Sequence, residues 1–253
     1  MEHTVKINLF SGAAVLAGVI GASMVTSTIV ASKAMTSHAK QQAIARQEIT
    51  VKGSARSRVT SDLATWSASV RSEGKTLNEA YEALTASADR VTAFLTARGF
   101  KPEEVRLSAI SSSPFYERDA KGVDTREVAG YALARQFTIT TPDTARVSGA
   151  AVEVTSLLKD GVNVSTEAPE YTLTKLPNLR IKLLGEAAQD ARKRADEIVK
   201  NAGGSVGEVR SAQMGVLQIT EPNSTEVSGT GRYDTSTIEK DISAVVTVTF
   251  GVQ

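Results

Sequence analysis

Cysteine is absent from this sequence and histidine nearly so. Without cysteine there is no disulfide, no thiolate metal site and no Cys nucleophile, and the absence is compatible with either redox compartment. The two histidines, His3 and His38, fall outside the region whose patterning reads as folded. That removes the usual general base and metal ligand from a conventional active site. An excess of one charge is lacking too: 29 basic residues stand against 28 acidic ones, for a formal net charge of +1. Such a balance supplies no global field for holding nucleic acid. What remains is an apolar fraction of 41%, normal for a chain with a real core. The 200 or so residues after the N-terminal segment exceed one average domain without requiring two.

A long uncharged run is present, by contrast, at the N-terminus. No charged side chain lies between Lys6 and Lys33, and about 26 helical residues would reach roughly 39 Å, enough to cross a bilayer. The run is longer than a secretory apolar region of about 7–15 residues, and no polar break with an obvious cleavage site precedes Lys33. The expectation is an uncleaved anchor over 1–33, followed by a polar stalk over 34–46. Ala13, Ala17 and Gly21 recur every four residues, with Gly18 and Ala22 beside them. That spacing suits close helix approach in a membrane, although glycine and alanine also simply abound in single-span anchors. Charge counting sets Lys6 before the span against Lys33, Lys40 and Arg46 after it. Taken alone, this count leans against export of the C-terminal domain.

From residue 47 onward the patterning is mixed. "TSDLATWSASVRS" alternates Ala64, Trp66, Ala68 and Val70 against polar neighbours, so 59–72 reads as one long strand. Leu77, Ala80, Leu84, Ala88, Val91 and Leu95 then repeat at helical spacing, widened by Tyr81 and Phe94 and stopped by Gly99. "EVRLSAISSSPFY" and "VAGYALARQFTIT" read as strands joined by the polar loop "ERDAKGVDTRE", and Tyr131, Leu133, Phe137 and Ile139 supply one apolar face. A second helix is expected from "TPDTARVSGAAVEVTSLLKDG", with Thr141 as cap and Pro142 at its first position. "VNVSTEAPEYTL" is extended. The order strand, helix, strand, strand, helix, strand is the split βαβ arrangement of ferredoxin-like folds. The fold class expected is therefore α+β, an antiparallel sheet with helices packed on it.

A third helix carries an alanine-rich seam at Leu184, Ala188, Ala191, Ala195, Ile198 and Ala202, with Asp190/Arg194 and Arg192/Asp196 on a solvated face. Two strands near 205–220 and 239–252 close the chain, the latter with Ile242, Ala244, Val246, Val248 and Phe250 alternating. The segment between them, "TEPNSTEVSGTGRYDTSTIEKD", reads as a polar loop that is either tolerated or used between subunits.

Candidate chemistry is sparse. Gly229-Thr230-Gly231-Arg232 resembles a phosphate cradle only superficially, because no strand precedes it and no helix follows. Asn223 begins a glycosylation-type tripeptide that is common by chance. Lys52 near Ser54 reads as an accidental pair. Asp119, Asp124, Glu167, Glu170, Glu239 and Asp241 are scattered and expected to be solvated, without the spacing of a cation loop. No catalytic residue, cofactor site or metal site is assigned.

"ITVKGSARSRVTSDLATWSASV", "SSSPFYERDAKG", "VAGYALARQFTIT", "DGVNVS" and "EAAQDARKRADEIVKNAGGSVGEVRS" occur in an order that resembles the SIMPL-domain family over about residues 47–253. "YTLTKLPNLRIKLLGEAAQDARKRADEIV" and "MGVLQI" are similar to its membrane-anchored bacterial branch. Gly53, Pro114, Tyr116, Gly130, Tyr131, Gly161 and Gly203 stand in these motifs. Ala55 departs from a pattern that often places a second glycine there. The resemblance implies an envelope protein without an agreed enzymatic activity, sometimes assembled into large rings and linked to envelope integrity or oxidative-stress protection. It also implies a signal-anchor in the inner (cytoplasmic) membrane with the C-terminal domain in the periplasm, against the charge count. The leading expectation is thus a homo-oligomeric scaffold. The alternative is a periplasmic binding module for an envelope ligand or a stressed protein.

Overall fold

The computed structural model describes residues 47–226 and 228–253. The apolar run with Ala13, Ala17, Gly18, Gly21 and Ala22, and the stretch after it, lie outside these residues. The described chain is α+β and divides into two compact units. The larger unit comprises Ser54–Ala187 and Met214–Val245; the smaller comprises 47–53, Ala188–Gln213 and Val246–Gln253. Among the described residues no helix is long and apolar enough to cross a membrane.

The larger unit is organised around two central strands, β2 (Leu63–Gly74) and β5 (Asp124–Thr141). They pair antiparallel from Ala64 opposite Thr141 to Gly74 opposite Tyr131. On the far side of β5 lie β3 (Val105–Leu107) and β4 (Ser111–Arg118), and on the far side of β2 lie β6 (Val164–Thr166) and β7 (Glu170–Thr172). Each outer edge is thus one strand in two pieces, and every pair is antiparallel. The first and third strands of the expected split βαβ order sit in the middle.

Helix α1 (Leu77–Ala97) starts at a capping box in which Glu79 N–H donates to Thr76 Oγ1 at 3.2 Å and Thr76 N–H donates back to the Glu79 carboxylate at 3.4 Å. Its buried stripe is Ala80, Leu84, Ala88, Val91 and Leu95. Leu77 and Tyr81, which the periodicity includes in that stripe, are exposed. With α2 (Thr144–Glu153), α1 closes a core around Trp66, Leu84, Phe137, Ile139 and Val147.

A first strand near Ile49 is present as β1 (Glu48–Thr60), which ends where Ser61 donates its N–H to Ile238 O, so the strand expected over 59–72 begins only at Leu63 as β2. Alternation continues across the break, so the period alone does not reveal it. "EVRLSAISSSPFY" is likewise interrupted, because Ser108 N–H donates to Gln136 O while its hydroxyl accepts from Gln136 N–H, leaving 108–110 outside the strands. The connecting loop is shorter than expected, since β4 runs to Arg118 and β5 starts at Asp124. Asp143, not Thr141, caps α2, accepting from Arg146 N–H at 3.0 Å. Thr141 instead ends β5, and after Glu153 the helix tightens into a 3₁₀ segment, Val154–Asp160, closed by Gly161.

The same unit holds a second cluster of Leu173, Leu183, Ile219, Ile242 and Ala244, covered by the first turns of α3 (Leu176–Asn201). Here β11 (Glu239–Val252) pairs antiparallel with β9 (Gln218–Thr220), and β10 (Arg232–Tyr233) adds to β9 in parallel, a short exception to the antiparallel expectation. The buried seam of α3 is Leu183, Ala187, Ala191, Ala195 and Val199: Ala191 and Ala195 lie where expected, Leu183 and Ala187 replace Leu184 and Ala188, and Val199 replaces the exposed Ile198. Alanines fill both candidate seams, so composition does not choose between them.

In the smaller unit, the end of β11 pairs with β8 (Val206–Met214) and with the start of β1. Arg192 stands 5.3 Å from the Phe250 ring centre and donates to Gly207 O at 2.8 Å and Val206 O at 3.0 Å. The residue expected only to pair with Asp196 therefore also ties its helix to β8.

Candidate functional site

The segment between β9 and β11 is fastened by its side chains. Asp241 is buried, contrary to the solvated reading, and takes four hydrogen bonds. Arg56 Nη2 donates at 2.6 Å, Arg58 Nε and Nη2 at 3.0 Å each, and Asn223 N–H at 2.8 Å. Arg58 Nη2 also donates to Asn223 Oδ1 at 2.7 Å, and Asn223 holds a φ of 64°. Arg58, then Asn223 and Arg56, hold the Asp241 carboxyl well below the usual carboxylate range despite its burial. Both guanidiniums are about half exposed, so solvent screens each pair.

The other end of the segment is held by Lys240, whose side chain is fully buried. Its Nζ donates to Thr237 O at 2.6 Å and to Asp234 Oδ2 at 3.2 Å. Burial acts to raise the Asp234 carboxyl, but donors from Thr237, Ser236 and Lys240 outweigh it and keep the group well below its ordinary value. A buried ammonium persists only when paired and hydrogen-bonded. Between the two fastenings, the Gln218 amide donates to Ser228 O at 2.7 Å and accepts from Ser228 N–H at 3.3 Å.

Held in this way, the segment forms one wall of a cleft of about 390 Å³, within the range of small-molecule sites. The first turns of α3 contribute Leu176, Arg180 and Leu184. The link between β8 and β9 contributes Val216 and Leu217, and Gly231, Arg232 and Tyr233 face them. Gly231 has a φ of +90°, and a Cβ there would stand 2.6 Å from Val216 Cγ1. The glycine flagged as a weak phosphate signal thus lets the wall close on Val216, and a strand rather than a helix follows it. Among the described residues no acidic side chain lines the cleft. Arg232 pairs with Glu226, while among the described residues Arg180 has no ion pair.

Four of the motif residues come together elsewhere in the larger unit. Pro114 faces Tyr131, Phe115 faces Gly130 and Tyr116 faces Val128 across the β4–β5 hairpin, with register shifts on either side of Tyr116. Gly161 closes the 3₁₀ segment in the same unit, whereas Gly53 and Gly203 belong to the smaller one. The sequence pattern does not single out Arg56, Arg58, Asp234, Lys240 or Arg180, and it marks Asn223 only as a glycosylation-type position. Arg56 and Asp241 are separated by 185 positions, so no local pattern connects them. Among the described residues no group of three or more Asp, Glu, His or Cys could hold a metal ion.

A search of curated proteins found no match. Among solved structures, a candidate amidohydrolase/peptidase from Burkholderia cenocepacia is 12% identical, over 51% of this chain and 32% of its own, with a TM-score of 0.24. A candidate aminohydrolase from methicillin resistant Staphylococcus aureus is 17% identical, over 58% and 37%, with a TM-score of 0.22. An uncharacterized conserved protein from Listeria innocua is 8% identical, over 76% and 91%, with a TM-score of 0.19. The chain thus spans about a third of the length of the first two, and likeness at these scores carries no argument about fold or chemistry. The family comparison is of another order: residues 49–250 match SIMPL, described as a protein of unknown function (DUF541). With that match covering nearly all of the described chain, this protein belongs to the SIMPL family.

Proposed function

We propose that this chain is a non-enzymatic scaffold of the cell envelope that works by associating with copies of itself. In this reading a single N-terminal span holds it in the inner membrane and the SIMPL domain lies in the periplasm. The observation that carries self-association is the β4–β5 hairpin. Through Ser111–Arg118 and residues 124–129 its side chains are exposed or only half-buried. Tyr116, Val123 and Val128 are among its exposed apolar groups. A two-stranded ribbon without a covered face is marginal by itself, and packing against a second copy would give it one. Pro114, which lacks an N–H, and the register shifts at Tyr116 discourage simple strand addition along the outer edge of β4. The ribbon's face is therefore the contact surface in this proposal.

Native mass spectrometry of the full-length protein, extracted from membranes in mild detergent, tests both parts. A discrete oligomer retaining residues 1–33, reduced to monomer by Tyr116→Lys with Val128→Asp, is the expected result. A monomer in the unsubstituted protein overturns self-association, and loss of the first 30 or so residues overturns the anchor.

A further inference from the structure

The cleft between the start of α3 and the fastened segment has a composition that selects its occupant. Its floor is aliphatic, from Leu176, Leu184, Val216 and Leu217, so it rewards an apolar chain with water release. Its charged groups are arginines alone. Glu226 already balances Arg232, which leaves one guanidinium, the exposed Arg180, without an ion pair among the described residues. A guanidinium offers a planar fork of donors matched to a carboxylate. One such cation above an aliphatic trough matches one negative charge on an apolar tail.

We propose that the cleft binds a small anionic amphiphile, an alkyl chain ending in a carboxylate, with the head on Arg180 and the chain along the aliphatic floor. Tyr233, about half exposed, lines the same cleft and adds apolar surface to it. Asp241, Gln218 and Lys240 hold that wall through hydrogen bonds to Asn223, Ser228, Asp234 and Thr237 without a ligand, so little ordering is needed on binding. None of these residues lies on the β4–β5 hairpin, so the cleft and self-association stand or fall separately.

The test uses the full-length protein in phosphatidylcholine nanodiscs, titrated calorimetrically with octanoate, octanol and octylammonium against empty nanodiscs. Octanoate should bind saturably, one per chain, and more tightly than the other two. Arg180→Gln should weaken it about fivefold, the ratio equivalent to about 1 kcal/mol for an exposed charge pair. Met214→Glu, which sets a carboxylate at an exposed lining position, should weaken it further. Absence of saturable octanoate binding, equal binding of octylammonium, or unchanged affinity in Arg180→Gln would each overturn the proposal.

Discussion

Phe115 lies directly across the β4–β5 hairpin from Gly130, and its ring carbon Cζ stands 2.6 Å from where a Cβ on residue 130 would be. Gly74 O would be 2.5 Å from the same point. The ring and the end of β2 therefore share a space that only a missing side chain leaves open. That gives two motif segments, read separately along the chain, a single physical reason to occur together.

Gly130→Ala is expected to destabilise by about 1–3 kcal/mol, since Gly74 O is backbone and cannot swing aside. Gly149→Ala is the counter-case. Residue 149 is inside α2, where an added Cβ meets nothing within 4 Å, and alanine should stabilise by up to about 1 kcal/mol. Urea midpoints moving in opposite directions at constant slope are the expected outcome.

Asp234 and Lys240 should respond unequally to neutralisation. Asp234→Asn leaves the buried ammonium without its counter-charge and is expected to cost about 3–5 kcal/mol. Lys240→Met leaves Asp234 with its donors from Ser236 and Thr237, so the loss should be smaller. Denaturation curves of both variants check the order.

Acid sensitivity arises from the same carboxylates. Asp234 and Asp241 have folded values below their unfolded ones, so the folded state binds fewer protons as pH falls through the unfolded range, near 4. Their stabilisation is complete above about pH 5 and declines progressively below about pH 4. Urea midpoints at pH 7 and pH 3 should show it, and Asp241→Asn should flatten the dependence.

Trp66 is 1% exposed, and its Nε1 donates to Thr166 Oγ1 at 2.7 Å. It belongs to the core between β2 and the helices and does not line the cleft. Its emission should be at short wavelength in the native protein, shift to long wavelength on unfolding, and stay unmoved by octanoate. Thr166→Val should cost about 1–3 kcal/mol by leaving a buried donor unpaired.

Much of the frame is legible in the amino-acid order. Strict alternation in β2 and the three-and-four spacing of α1 each require a buried face, and Gly99 and Gly161 mark real stops. Where several registers bury similar groups, the pattern does not choose: either alanine seam of α3 satisfies the periodicity. The break at Ser61 is equally hidden, because β1 and β2 carry compatible patterns on both sides of it.

The candidate site is less legible for a related reason. Asp241 looks like any acidic residue before a strand until Arg56 and Arg58 arrive from β1. Lys240 looks exposed until Asp234 and Thr237 fold over it. Sequence by itself determined the α+β class, the order of the three helices and the long strands, the family and which strands need a covered face, because these depend on local period and turn chemistry. Tertiary structure alone decided which charges are buried, how the polar segment is fastened and that Arg180 has no ion pair among the described residues. Those depend on partners far away in the chain, and the energy of a buried charge is set by the groups that surround it in space.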